Sequence, residues 1–456
     1  MRKNLFLLLL AAMFTMVSCD YNEDQVTVNT SNADQEAIVD GKVPLSRAIS
    51  NADFIFRNTE GLGAKKRKVK SVDVLTTSNT NSVIANTRSG VDGQAQPVAY
   101  VVNYENNEGF AILAADTKLP PVIGIGDEGN FNTQGFIDFV RNRATRTGGS
   151  ELNPAQEVQY AIVNNSLLLP PNIIGPGPTN CVDTTIVLKC LPLVRTKWGQ
   201  TDPYNYYADP YVNSYYETVK GVAGCVPVAG AQVIASLCFH HNWRPTTQIS
   251  EQYIVDWEKL NKIIFNGVIG FDAGTYTDDA LVVASLIRAV GEDVGAQYGA
   301  VTGAYTYDLA DTYEKLGMSS THYGNEESDI PITRDDLFNM IIYKNFPVNV
   351  SARTYVEVGS TTTAGHSFVL DGWLRLEYST VNADIGMNGT SIINRQHNFD
   401  LVHVNLGWKG DNDGYYLPDA FDLTEDKYRE YAELNDKEDA TQYVFDLNVN
   451  YIIYEM

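Results

Sequence analysis

Cys225 is the residue in this chain best placed to do chemistry. It stands in Gly221-Val222-Ala223-Gly224-Cys225-Val226-Pro227, ahead of the apolar run Val228-Ala229-Gly230-Ala231-Gln232-Val233-Ile234-Ala235-Ser236-Leu237-Cys238. A glycine-bearing turn that delivers a cysteine to the mouth of a helix sets the sulfur beside free N–H groups and the positive end of the helix dipole. That setting lowers a thiol pKa and supplies thiolate, the reactive form, near neutral pH. Pro227 suits the first helical turn, where its missing N–H has no partner to lose. The small residues that follow let such a helix sit deep between its neighbours.

Two later stretches offer partners. Thr363-Ala364-Gly365-His366-Ser367-Phe368-Val369-Leu370-Asp371-Gly372-Trp373 puts His366 at the head of an apolar strand. Its distance from Cys225 falls in the interval of roughly 130–150 residues found in one class of thiol hydrolase. His403-Val404-Asn405-Leu406-Gly407-Trp408 brings Asn405, whose carboxamide can hold an imidazole in one tautomer, and Trp408, whose indole can keep water off that bond. Upstream, Gln200 lies in Lys197-Trp198-Gly199-Gln200-Thr201-Asp202-Pro203-Tyr204-Asn205, where an oxyanion-binding amide would be expected. A thiol, an imidazole, an orienting amide and an oxyanion donor in one chain are the inventory for nucleophilic attack on an acyl carbon.

Positioning them takes real cores, and the composition allows this: 456 residues, 44% hydrophobic and 11% aromatic, point to two to four domains. A net charge of −23, from 33 Lys+Arg against 56 Asp+Glu, argues against nucleic acid as a partner, because phosphate binding needs a cationic face. Five cysteines are too few for a disulfide scaffold. Arg2 and Lys3 precede an apolar run from Leu5 to Val17, too short for a membrane-spanning helix and suited to a signal peptide. Met16-Val17-Ser18-Cys19 resembles a bacterial lipoprotein signal, with Cys19 lipidated and acidic residues Asp20, Glu23 and Asp24 following. The expectation is an exported lipoprotein at the outer membrane or cell surface, touching the membrane through its lipid anchor only, with the mature part released extracellularly.

Residues 20 to about 95 are polar, and their basic run Lys65-Lys66-Arg67-Lys68-Val69-Lys70 reads as a solvated loop. Val98–Tyr104 and Phe110–Ala115, flanking an Asn/Gly turn, predict a hairpin, and Val122–Ile125 a further strand. Thr133–Arg146 and Pro154–Leu169 read as helices. A stretch rich in Pro and Gly, from Pro170 to Pro178, predicts a domain boundary between about 170 and 195. Beyond it come Tyr-rich loops, the cysteine helix and then β-rich sequence with glycine turns.

The blocks Gln-x-x-Pro-Tyr-Asn at 200–205, Gly-Cys-Val at 224–226, Gly-His-x-Phe-Val-x-Asp-Gly at 365–372 and His-Val-Asn-x-Gly-Trp at 403–408 resemble the streptopain family of cysteine peptidases, within the papain-like superfamily. Tyr100 to Val122 is similar to that family's inhibitory propeptide. The resemblance implies an α+β, two-lobed catalytic domain: a helical lobe with the Cys helix, an antiparallel β lobe with His and Asn, and an α+β propeptide ahead. The implied domains are 1–19 signal, 20–190 linker and inhibitory propeptide, and 191–456 peptidase. By the same likeness Cys225 is nucleophile, His366 base and acid, Asn405 orienting residue and Gln200 oxyanion donor, while Gly365, Leu406 and Trp408 bind substrate or shield the site. No cofactor and no metal are implied. The partners are protein or peptide substrates and the chain's own propeptide, which folds over the cleft, displaces His366 and is later cut away between Thr179 and Arg195.

Other features have plainer readings. Cys181 and Cys190 could form a disulfide or stay free, and Cys238 reads as core. His240-His241 diverge on a helix and suit a structural role better than a metal site. Asp411-Asn412-Asp413-Gly414 lacks the distal Glu of a calcium loop and reads as a turn. Leu406 stands where the family has Trp, which supports the alternative of a non-catalytic surface adhesin or binding lipoprotein. An acyltransferase or amidase would use the same three residues.

Overall fold

The computed structural model describes residues 41–59, 66–78, 96–117, 119–141, 154–167, 181–323, 333–354, 364–386, 389–421 and 447–455, with Ile38 and Thr80. The expected signal segment and Cys19 lie outside the described residues. Among the described residues no helix is long and apolar enough to cross a membrane.

The leading region comprises helix α1 (Leu45–Thr59), strands β1 (Val69–Thr76), β2 (Pro97–Tyr104), β3 (Phe110–Ala114) and β4 (Val122–Gly126), and helices α2 (Thr133–Arg141) and α3 (Pro154–Leu167). The predicted hairpin is β2 paired with β3, and both predicted helices form. Two further elements lie in the stretch read as polar. α1 is amphipathic and buries Ala48, Ala52, Phe54, Ile55 and Phe56. β1 leaves most of its side chains exposed and joins the sheet through backbone pairing with β2, so it shows no apolar alternation. The basic run leads into β1 and is no free loop. The Arg67 guanidinium lies 3.6 Å from the Phe56 ring centroid, and Lys68 Nζ bonds Glu105 at 2.7 Å.

The second region begins at β5 (Cys181–Cys190), followed by the short hairpin β6 (Pro210–Val212) and β7 (Thr218–Lys220). Helices α4 (Cys225–His240), α5 (Trp257–Phe265), α6 (Asp278–Asp293) and α7 (Leu309–Lys315) form the helical lobe. Then come β8 (Ser319–Tyr323), α8 (Arg334–Phe338), β9 (Val348–Thr354), β10 (Ala364–Gly386), β11 (Gly389–Asn405), β12 (Gly414–Tyr416) and β13 (Leu447–Glu455). α4 is apolar on every side and is buried from Val226 to Cys238, so it is the central helix of the lobe. Gly230 permits this: a Cβ there would lie 2.5 Å from Leu309 Cδ2 of α7 and 3.2 Å from Val290 Cγ1 of α6.

One antiparallel sheet joins the two regions, in the order β1-β2-β3-β4-β12-β11-β10-β9-β13-β8, with β5 also on β10. At the seam Gly124, Ile125 and Gly126 of β4 pair with Tyr416, Tyr415 and Gly414 of β12, the leading region adding its strands to the sheet edge of the second region. Buried side chains cover both faces. One core runs through α2, α3, α4 and α6. The other packs α1 and β2–β4 with Leu374, Leu376, Phe399, Leu401 and Tyr415 from β10–β12. The α+β class and the helix-against-sheet lobes are as expected.

The segment around 190 differs from expectation. Cys181 to Cys190 is not an exposed connector: it pairs with β10 from Thr380 to Trp373, and Cys190, Leu193 and Val194 are buried. The proposed cleavage zone therefore overlaps a hydrogen-bonded strand. Cys181 and Cys190 do not pair with each other either. They sit at opposite ends of an extended strand, and nine residues at about 3.3 Å per residue is far beyond disulfide reach.

Candidate active site

Cys225 opens α4 behind Gly224, whose φ of 94° and ψ of 145° belong to glycine, and whose missing Cβ would lie 2.8 Å from Thr302 Cγ2. The turn is clamped along its length. Ala223 N–H donates to the Gln200 carbonyl at 2.7 Å, Val222 N–H to Gly299 at 3.0 Å, the Thr302 hydroxyl to Val222 at 2.6 Å, and Asn205 Nδ2 to Gly221 at 2.8 Å. Gln200 is thereby fixed, buried, alongside the cysteine turn.

Helix α4 packs against β10, and the N–H groups of Ser367, Val226 and Cys225 itself surround the Cys225 sulfur. The thiol and His366 thus meet on one strand. The expected drop in thiol pKa is absent in this state. Burial outweighs the three N–H groups and pushes the Cys225 thiol above its usual 9.0.

His366 is buried, and its Nε2 donates to the Leu406 carbonyl at 2.7 Å. A carbonyl can only accept, so Nε2 carries the proton and Nδ1 keeps a free lone pair, buried and without a partner. Burial pulls the His366 pKa down to about 4, so the ring is neutral at ordinary pH. No hydrogen bond joins this ring to Cys225 or to Asn405. The expected Asn405–His366 bond is missing for a structural reason: the adjacent carbonyl of Leu406 holds the imidazole N–H, while the Asn405 amide holds other partners. Its Oδ1 accepts from Gln232 Nε2 at 3.0 Å and Gly407 N–H at 3.1 Å, and its Nδ2 donates to Thr196 at 3.1 Å.

Gln232 was passed over at the sequence level. Its signal was a lone carboxamide in an otherwise apolar helix. It is fully buried, and its Oε1 accepts from Thr196 Oγ1 at 3.1 Å and Trp198 N–H at 3.2 Å. Of the remaining expected residues, Gly365 is exposed at the head of β10, Leu406 is fully buried, and Trp408 is half-buried with Nε1 unpartnered. His240 and His241 point apart, to the carbonyls of Leu193 and Asn345. Cys238 is core, and 411–414 is a turn with Asn412 at positive φ.

The leading region reaches this machinery directly. Asp127, just past β4, donates its N–H to the Asp413 carbonyl at 3.1 Å. The Asp413 carboxylate accepts the Leu406 N–H at 2.7 Å, and the Leu406 carbonyl holds His366. One continuous run of bonds therefore links the seam to the imidazole. Beside it, buried His403 lies between Asp371, 2.6 Å from Nδ1, and Asp127, 3.3 Å from Nε2. Burial opposes charge on His403, but the Asp371 carboxylate and the Asp127 bond outweigh it and raise its pKa to about 10. Lys197 bonds Glu128 at 2.7 Å, and Gln159 Nε2 of α3 donates to Tyr416 Oη at 2.9 Å.

Comparison with known proteins follows these two regions. Residues 198–416 match the Peptidase C10 family and residues 57–142 the Spi protease inhibitor family. β12 lies in the first match and β4 in the second. Streptopain of Streptococcus pyogenes is 22% identical over 347 residues, spanning 70% of this chain and 74% of the relative. A fragment of prointerpain A of Prevotella intermedia aligns with a TM-score of 0.41 and 19% identity, over 78% of this chain and 95% of that one. With an inhibitor-type region built into the sheet of a region that matches the Peptidase C10 family, the chain is a cysteine endopeptidase made as a zymogen that carries its own propeptide, and it is similar to streptopain.

Proposed function

We propose that Cys225 is the nucleophile of this peptidase and His366 its base and acid, with Asn405 orienting the imidazole and Gln200 stabilising the oxyanion. The observation that carries this reading is the half-assembled pair. The sulfur touches the N–H next to His366, while the ring, with Nδ1 unprotonated and unpartnered, is tied to Leu406 instead. Release of the propeptide frees the imidazole to present Nδ1 to the thiol and Nε2–H to the Asn405 carboxamide. Nδ1 then takes the thiol proton, and the sulfur bonds to the peptide carbonyl carbon. The tetrahedral oxyanion sits against the Cys225 N–H and the Gln200 side chain; one such donor is worth about 3–4 kcal/mol of barrier. The C–N bond breaks as His366 returns the proton to the leaving amine. Water, deprotonated by His366, then cleaves the thioester and restores the thiol.

The substrates are proteins or peptides, and the precursor is exported as a lipoprotein held by Cys19. The removable part ends ahead of β5, since that strand belongs to the peptidase sheet. Intact mass spectrometry of purified precursor over time tests the assignment. The wild type is expected to shorten itself, while Cys225→Ala stays full length and inert on casein; self-cleavage of the variant at the normal rate refutes it. Palmitate incorporation that survives Cys19→Ser would refute the anchor.

A further inference from the structure

Resting on that reading of the site, we infer that Gln232 is a positioning residue for catalysis, fixing the Asn405 carboxamide end for end so that its oxygen is the atom His366 meets. Three segments must be in register for the reaction: the cysteine helix, the stretch leading to Gln200 and the end of β11 carrying Asn405. Gln232 is fully buried in α4, two helical turns beyond Cys225, and touches the other two. Its Oε1 takes the Thr196 hydroxyl and the Trp198 N–H, which leaves Nε2 as the end facing Asn405 Oδ1. Asn405 Nδ2 is in turn committed to the Thr196 carbonyl.

The two amides therefore reinforce each other's orientation, with the Gly407 N–H on Asn405 Oδ1 acting in the same sense. Neither can flip without setting donor against donor or acceptor against acceptor in a buried site, which costs a full desolvation penalty. An Asn405 amide turned around would offer N–H groups to the imidazole N–H and could not hold it. The tie is already made in the latent state, while His366 is still bound to Leu406. The end-for-end orientation of the carboxamide is thus set before activation; the imidazole has then to leave Leu406 and take the place on Oδ1 that the Gly407 N–H now holds.

The test uses the processed enzymes of Gln232→Leu, Gln232→Glu, Asn405→Ala and the Gln232→Leu/Asn405→Ala double variant. Gln232→Leu is expected to lower kcat about 10–100-fold with KM within about threefold, as for a misplaced catalytic group. The double variant should be no slower than Asn405→Ala, because Gln232 acts only through Asn405. Gln232→Glu keeps the shape and covers the case in which Gln232→Leu does not fold. Ionised, it has no donor for Asn405 Oδ1; protonated, it regains one. Its activity relative to wild type should therefore rise as pH falls, which a purely structural role would not produce. Multiplying losses in the double variant, or Gln232 variants at wild-type kcat beside an impaired Asn405→Ala, overturn this inference alone. Wild-type kcat in Asn405→Ala overturns the underlying site reading as well.

Discussion

Alkylating the protein with iodoacetamide between pH 5 and 9, precursor and processed chains in one tube, separates the two states of Cys225. In the latent form burial outweighs the N–H neighbours and holds the thiol above its ordinary range. Little of it is thiolate at pH 7, and each unit of acidification removes another decade. In the processed form, pairing with the imidazolium of His366 should bring the pKa into the activated range, for which about 6 is a working figure. Thiolate would then be about 90% at pH 7 and about 10% at pH 5. Ionisation is not the whole rate, because a less basic thiolate is a weaker nucleophile. With a Brønsted slope of about 0.45, each pKa unit by which the processed thiol lies lower costs about threefold. The net advantage of the processed form is reduced accordingly, and it grows about tenfold between pH 7 and pH 5. The shape of the profile therefore decides: a plateau above about pH 6 for the processed chain, a line of slope one through pH 8 for the precursor. Intact-mass spectra distinguish the chains, peptide mapping locates the label, and buried Cys238, its pKa raised to about 12, stays silent in both. A precursor profile that flattens below pH 8, or one shared by both chains, would refute the reasoning.

Asp127→Asn should loosen the propeptide. Its bond to His403 is 3.3 Å long and Asp127 is 36% exposed, whereas Asp371 sits at 2.6 Å and is fully buried. Asp127 is therefore the lesser partner, worth about 1 kcal/mol, and the lag before self-processing should shorten about fivefold. The His403 pKa is raised to about 10, and Asp371 stays beside it after release, so only the Asp127 share bears on latency: it is present while His403 is charged and is lost as pH rises through about 10. Wild-type latency should weaken between pH 8 and 10, and by less in Asp127→Asn; a longer lag, or identical pH curves, would count against the contact. Gly224→Ala places a side chain at φ 94° against Thr302, with a strain of about 1–3 kcal/mol. Urea unfolding in a Cys225→Ala background should show that loss, and an unchanged midpoint would mean the turn is not strained by a Cβ.

The amino-acid order alone carried the chemistry of this protein, because each piece of it is local. Gly224-Cys225 before a small-residue helix, His366 at the head of an apolar strand, and Asn405 two residues after His403 are all short patterns, and the hairpin at 98–115 follows the same period-two logic. What escaped it depended on distant partners. α1 and β1 lie in polar sequence and gain their place from the sheet they cover or extend, and β5 follows a breaker-rich stretch yet is captured by β10. Gln232 looked like part of an apolar helix until the two segments packed on it came into view. The state of the site was likewise a tertiary outcome. Only the packed chain decides that Leu406, not Asn405, holds His366, and that burial defeats the helix dipole at Cys225. Hydrogen-bond competition and desolvation are settled by atoms hundreds of residues apart, so a chain read in order shows which groups can react and the folded seam shows why they do not yet.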